Sequence, residues 1–232
     1  MNILSIILPV YNEKGTIERV LNEWMKELEK YNLQYRFVIC EDGSTDGTKE
    51  FLKKIKNKYK LILNQKNERR GYGRAVIDGI KTSKSKYLLC IDSDGQCDPK
   101  DFKKFWKNKD KAGVIIGWRK KRTDAFQRKI FSQLFKLAHS LLFPSNIHDP
   151  SAPFVLFKKE TIFPHLDYLK YLNEGFWWGF VGMCVKNNLL VFELPINHRS
   201  RLDGKTQVYI TKKIPSIALR NLLGLLRLKF VK

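Results

Sequence analysis

Long hydrophobic runs are missing from this 232-residue chain: no apolar stretch reaches the ~18 residues that cross a bilayer, so no membrane span is expected. A leader is not expected either, because Ile3 to Val10 reads as a strand with no basic flank before it. Cysteine is scarce. The four present, Cys40, Cys90, Cys97 and Cys184, form no Cys-x-x-Cys pair, and two end predicted strands, where a thiol acts as a small buried hydrophobe; a reducing cytosol fits. Internal repeats, low-complexity segments and proline-rich linkers are absent, and 43% hydrophobic content is too high for a disordered chain. One domain with a single core is expected.

Acidic residues are also few, 23 against 44 Lys plus Arg, leaving a net charge of +21. The surplus is localised: residues 100–136 carry thirteen bases and three acids, and residues 198–232 nine bases and one acid. Such surfaces attract nucleic acid, an anionic bilayer or a phosphorylated substrate, and charge alone does not choose among them. The scattered lysines are equally compatible with genome composition. No nucleic-acid-binding motif is present.

What the chain does have is a regular alternation of short apolar runs and helical patterns, the signature of an α/β fold with a mostly parallel sheet and helices on both faces. Strands are predicted at Ile3–Leu8, Tyr35–Cys40, Lys60–Leu63, Tyr87–Ile91, Val114–Gly117, Phe154–Phe157 and Leu190–Pro195. Helices are predicted from an Asn12 cap to Lys30, from Thr45 or Asp46 to Asn57, and over Tyr72–Ser83, Ala125–Phe143, Asn173–Asn187 and Ile214–Lys232. Asp98-Pro99 opens a further helix to Asn108, a capping carboxylate ahead of proline at the first helical position. The chain reads as two lobes of one domain, a nucleotide half of residues 1–118 and an acceptor half of residues 119–232.

In an open parallel sheet, ligands bind beyond the carboxyl ends of the strands. Three of those ends are acidic here: Pro9-Val-Tyr-Asn-Glu13, Glu41-Asp-Gly-Ser-Thr-Asp-Gly-Thr48 and Asp92-Ser-Asp-Gly-Gln96. Alternate residues of an extended chain project to one side, so Asp92 and Asp94 can face one divalent cation while Ser93 turns away. Gathered carboxylates repel, and a cation, ligand hydroxyls or base N–H groups would relieve that cost. Taken alone, each motif has a plainer reading: a solvated turn at residues 92–96, an Asx turn capping the next helix at 41–48, an exposed aromatic at Tyr11. Arg69-Arg-Gly-Tyr-Gly-Arg-Ala75 brings Arg74 and two other arginines to the start of a helix, where phosphate could approach. A Rossmann site is disfavoured because the first strand is not followed by a glycine-rich turn.

Together, Ile7-Leu-Pro-Val-Tyr-Asn-Glu13, residues 41–48, Gly71-Tyr-Gly-Arg-Ala-Val-Ile-Asp-Gly-Ile80 and Asp92–Gln96 stand in the order found in family-2 glycosyltransferases of the GT-A fold. The chain resembles in particular their polyprenyl-phosphate branch, which includes dolichyl-phosphate sugar transferases. The resemblance implies that Pro9, Tyr11, Glu13, Glu41, Asp42, Arg74 and Asp92 bind the nucleotide-sugar donor, and that Asp92, Asp94 and Gln96 hold Mg2+ or Mn2+. Glu41 departs from the Asp common in the family. Gly117-Trp-Arg119, Arg128-Lys-Ile-Phe-Ser132 and His148-Asp-Pro-Ser-Ala-Pro-Phe-Val-Leu-Phe157 look like acceptor motifs of that branch. Arg128 and Ser132 are four apart on one helix face and can grip one phosphate, which Arg119 can close. Asp149 matches an acidic position beside the reacting centre. A phosphate nucleophile is already anionic and needs little help from a base, so Asp149 can orient instead of deprotonating. His148 and His198 are more readily read as structural or phosphate-facing residues than as metal ligands.

Arg199, Arg201 and Lys205 fall in a basic segment, His198 to Thr206, that resembles the family's loop over the donor diphosphate. The stripe of helix 125–143 and the leucines and bases of the last helix form interfacial patterns, though a core-facing stripe is the plainer reading of the former. The expectation is an inverting hexosyltransferase on the cytoplasmic face of an anionic membrane, moving sugar from a GDP-mannose or UDP-glucose type donor to a polyprenyl monophosphate. The rivals are a family-2 enzyme acting on a glycan hydroxyl and a non-catalytic basic module binding membrane or nucleic acid.

Overall fold

The computed structural model describes residues 3–120, 126–201 and 214–231, without the side chains of 126–132, 134, 214 and 215. Seven strands form one sheet in the order β3-β2-β1-β4-β6-β5-β7. They are β1 Leu4–Val10, β2 Tyr35–Asp42, β3 Leu61–Lys66, β4 Tyr87–Cys90, β5 Val114–Arg119, β6 Val155–Lys158 and β7 Val191–Ile196. β6 runs antiparallel to both β4 and β5, and the remaining pairings are parallel. The mostly parallel α/β architecture is as the alternation of patterns predicts.

The inner strands β1, β4 and β6 and most of β2 and β5 are buried on both faces, which is why they read as near-continuous apolar runs, whereas the edge strands β3 and β7 are mostly half-buried. Ile7, Val38, Leu88, Val114 and Val155 belong to a core shared with helices α3 (Tyr72–Thr82), α7 (Phe176–Lys186) and α8 (Ile214–Phe230). Their neighbours one residue away, Ile6, Ile39, Leu89, Ile115 and Leu156, face a second core under α1 (Ile17–Glu29), α2 (Thr48–Ile55) and α4 (Phe102–Lys107). α5 (Phe126–Leu142) packs on α7 and α8.

Several boundaries differ from expectation for local reasons. Asn12 does not cap α1. It sits at φ +55° with its Oδ1 accepting from the Thr45 amide at 2.8 Å, and the helix starts at Ile17 after Thr16. Asp98 does cap as predicted, accepting from the Lys100 amide at 3.0 Å, but Pro99–Asp101 is a 3-10 turn leading into α4. Short helix α6 (Lys159–Ile162) and the 3-10 helix Phe163–Tyr171 lack a periodic signal long enough to find in the sequence. The boundary drawn at 118/119 falls inside β5.

Candidate active site

The carboxyl ends of β1, β2 and β4 lie side by side, since β1 pairs with both of the others in parallel. Immediately after β4, Ser93 turns away from the cleft and its Oγ donates to the Pro9 carbonyl at 2.9 Å. Residues 93–94 form a turn and not the extended alternation expected from the sequence, yet Asp94 stays close enough for its charge to act on Asp92. Asp92 Oδ1 accepts from the Tyr72 hydroxyl at 2.7 Å. Asp94 is 5% exposed, accepting from the Gln96 amide at 3.0 Å and from Arg201 Nη2 at 2.8 Å. The same guanidinium reaches Glu13, with Nη1 3.8 Å from Oε1, and Glu13 also receives the Thr16 hydroxyl. Burial first, then repulsion from Asp94, pushes Asp92 up to about 7, against the pull of Tyr72, Arg119 and Arg201. Burial likewise raises Glu13 above the usual carboxylate range.

Those shifts are the electrostatic signature of carboxylates in want of positive charge. No group of three or more His, Cys, Asp or Glu able to hold a metal occurs among the described residues. Two carboxylates are nevertheless the donor set expected for Mg2+ or Mn2+ bound jointly with substrate phosphates, so Asp92 and Asp94 fit such an ion. The Gln96 side chain donates from Nε2 to the Arg199 carbonyl at 3.3 Å, tying the turn to the segment after β7.

On the nucleotide side, Asp42 grips the start of α3: its two oxygens accept the Arg70 and Gly71 amides at 2.9 and 2.7 Å. Gly71 has φ +103°, and a Cβ there would lie 2.1 Å from Asn173 Nδ2, so only glycine makes this turn. The Tyr11 ring carries the Arg69 guanidinium 4.0 Å from its centroid. Glu41 is 1% exposed; Oε1 accepts the Ser44 amide at 2.5 Å and Oε2 is buried without a partner among the described residues. Pro9 is buried in β1 and Arg74 is exposed on the first turn of α3.

Across the cleft, Arg119 at the end of β5 forms a two-point pair with Asp149, Nε to Oδ2 at 2.7 Å and Nη2 to Oδ1 at 2.9 Å. Ser151 accepts from the same Nη2 at 2.6 Å. Arg128 and Ser132 lie on α5, but their side chains, like all of Lys205, lie outside the described residues. Arg199 is not brought to the acidic pair: its guanidinium binds Glu23 and Asp98, each at 2.7 Å. His148 pairs through Nδ1 with Glu193 at 2.6 Å and stacks on Trp118, and the backbone of His198 pairs antiparallel with that of Cys97. The sequence reading missed Tyr72 and Trp177, whose indole N–H donates to the Tyr72 oxygen at 2.8 Å. A tyrosine between two glycines at a helix start was the available signal.

The sequence matches the family described as Glycosyl transferase family 2 over residues 5–163. The chain belongs to that family. It is 29% identical to a dolichyl-phosphate beta-glucosyltransferase of Dictyostelium discoideum, over 97% of this chain and 77% of that protein. It is 24% identical to a dodecaprenyl-phosphate galacturonate synthase of Rhizobium johnstonii, over 90% of this chain and 62% of that protein. Among solved structures, it resembles glucosyl-3-phosphoglycerate synthase from Mycobacterium tuberculosis in complex with Mn2+, UDP-glucose and phosphoglyceric acid. That likeness has a TM-score of 0.70 at 15% identity, covering 100% of this chain and 81% of that one, and shows a shared GT-A fold. This family-2 protein is thus a sugar transferase related to enzymes of prenyl-phosphate glycosylation.

Proposed function

We propose that the protein transfers a hexose, with inversion, from a nucleoside diphosphate sugar to a polyprenyl monophosphate. The observation that carries this reading is the acidic pair at the end of β4, with Asp92 accepting from the Tyr72 hydroxyl at 2.7 Å and Asp94 from Arg201 Nη2 at 2.8 Å. Mg2+ or Mn2+ bound by Asp92 and Asp94 supplies neutralising charge for the departing diphosphate. Arg201, already between Asp94 and Glu13, adds a second positive group at that position. Tyr11, Glu13, Glu41, Asp42 and Arg74 are assigned to the nucleotide side in this reading, and catalysis is chiefly positioning and electrostatics.

The acceptor is argued from charge and from kinship. Both named relatives act with prenyl phosphates, as their names state. A phosphate monoester attacks without a strong base, so Asp149 serves by fixing the Arg119 guanidinium, with Arg128 and Ser132 completing the phosphate grip. No helix among the described residues is long and apolar enough to cross a membrane. Leu137 and Leu141 on α5, and Leu219, Leu223 and Phe230 on α8, are exposed beside Arg220, Arg227 and Lys229, which supports peripheral contact with an anionic bilayer.

The decisive assay is metal-dependent transfer from UDP-glucose or GDP-mannose to a short polyprenyl phosphate. Transfer is expected with one donor and lost to background in Asp92→Ala and Asp94→Ala. Undiminished metal-dependent turnover in both variants rejects the metal assignment, and transfer only to glycan hydroxyls rejects the acceptor.

A further inference from the structure

Asp92 is reached by a hydrogen-bond chain that begins in the other half of the molecule. Trp177, in the first turn of α7 and 6% exposed, donates its indole N–H to Tyr72 Oη at 2.8 Å, and Tyr72 donates to Asp92 Oδ1 at 2.7 Å. The direction of both bonds is fixed by chemistry. An indole nitrogen can only donate, so Tyr72 must accept from it, and the single phenolic proton is then directed to the carboxylate.

The chain is also held mechanically. Asp42 clamps the amide of Gly71, one residue before Tyr72. The Gly73 amide, one residue after, donates to Asn173 Oδ1 at 3.1 Å, and Asn173 Nδ2 returns to the Arg70 carbonyl at 3.2 Å. A Cβ on Gly73 would meet the backbone oxygens of Leu172 and Asn173 at 3.0 and 3.1 Å, so the α3 start is pressed onto the segment that leads into α7. Phe176 packs edge-on against Tyr72 and against Trp177. The phenol therefore has one place to put its proton.

We infer that Tyr72 and Trp177 are positioning residues for the cation site, a relay in which α7 sets the orientation of the Asp92 carboxylate through the Tyr72 hydroxyl. The bond from Tyr72 to Oδ1 leaves Oδ2 of Asp92 as the oxygen offered to the cation in this proposal. Partners of this kind behind a ligating carboxylate set its direction. The inference rests on Asp92 and Asp94 holding the metal, as proposed above.

The test measures Mn2+ binding by the full chain, in the presence of UDP and separately of GDP, by electron paramagnetic resonance of free Mn2+. Tyr72→Phe removes one oxygen and keeps the ring; the expected loss is about 10- to 100-fold in Mn2+ affinity, the range for such partners of metal ligands. Trp177→Phe should give a smaller loss, and the double variant should be no worse than Tyr72→Phe, because Trp177 acts only through Tyr72. Thermal melts accompany each variant; a lowered melting temperature with unchanged Mn2+ affinity assigns a packing role and overturns the relay. Multiplying losses in the double variant overturn it too. A wild type that binds no Mn2+ with either nucleotide overturns the metal reading itself and the relay with it, whereas wild-type binding that survives Tyr72→Phe overturns the relay alone.

Discussion

Arg119 and Asp149 show how one pair can be both scaffold and machinery. Both side chains are under a tenth exposed, and their two-point contact joins the end of β5 to the loop before β6. Removing one partner of a buried pair leaves an uncompensated charge, which costs about 3–5 kcal/mol, whereas replacing both by apolar groups is often neutral. Arg119→Ala is therefore expected to lose stability of that order in urea titrations. The Arg119→Met, Asp149→Leu double variant should recover most of it and remain inactive in sugar transfer. Full activity in that double variant would remove Arg119 from the acceptor site. The two residues were visible in the sequence as separate candidates; their direct contact was not, because thirty positions separate them and nothing in either motif names a partner. Arg199 is a similar case, its charge legible and its partners Glu23 and Asp98 unpredictable from 176 and 101 positions away.

Elements were readable where period and punctuation agreed. β1, β2 and β4 emerge from apolar runs ended by polar turns, α3 from its two opening glycines, and the start at Asp98-Pro99 from capping chemistry. The insertion of antiparallel β6 between β4 and β5 was not readable, since a four-residue apolar strand carries no record of its neighbours or direction. Within the helical layer, α5 carries a testable pH dependence. His139 is 1% exposed, packed near Phe143 and Trp178, with Nε2 3.0 Å from the Trp178 carbonyl. Burial pushes its imidazole from 6.5 down to about 4, against the opposing effect of that hydrogen bond. Between those values the unfolded chain binds the proton and the folded chain does not, so stability is complete above pH 6.5 and declines as pH falls toward 4. The span corresponds to about 3 kcal/mol. Melting temperatures measured from pH 7.5 to 4.5 should fall, and His139→Gln should flatten the decline between pH 6.5 and 5; an identical slope in that variant assigns the decline to other groups.

At the scale of the molecule, charge and apolar exposure occur together. The net charge of +21 is concentrated in residues 100–136 and 198–232, the stretches that include α4, the first part of α5 and all of α8. Basic side chains near an anionic surface contribute about 1 kcal/mol each and lose it within a Debye length, about 10 Å at 0.1 M salt. Cosedimentation with phosphatidylserine-containing vesicles is expected at 50 mM salt and should be largely abolished at 0.5 M. Leu141→Ser with Leu223→Ser should weaken it further, while neutral vesicles should bind little. Binding unaffected by salt would contradict an electrostatic attachment.

The position of β5 has a consequence for how the polypeptide can be divided. β5 lies almost wholly in the first half in sequence, yet its hydrogen-bonding neighbours are β6 and β7, which both come from the second. A fragment ending at residue 118 would present β5 and the outer edge of β4 as unzipped edges, an invitation to aggregate. Nascent chains emerging from a ribosome must therefore keep those edges apart until residue 158 and then residue 196 arrive. A split version of this protein would have to be severed elsewhere.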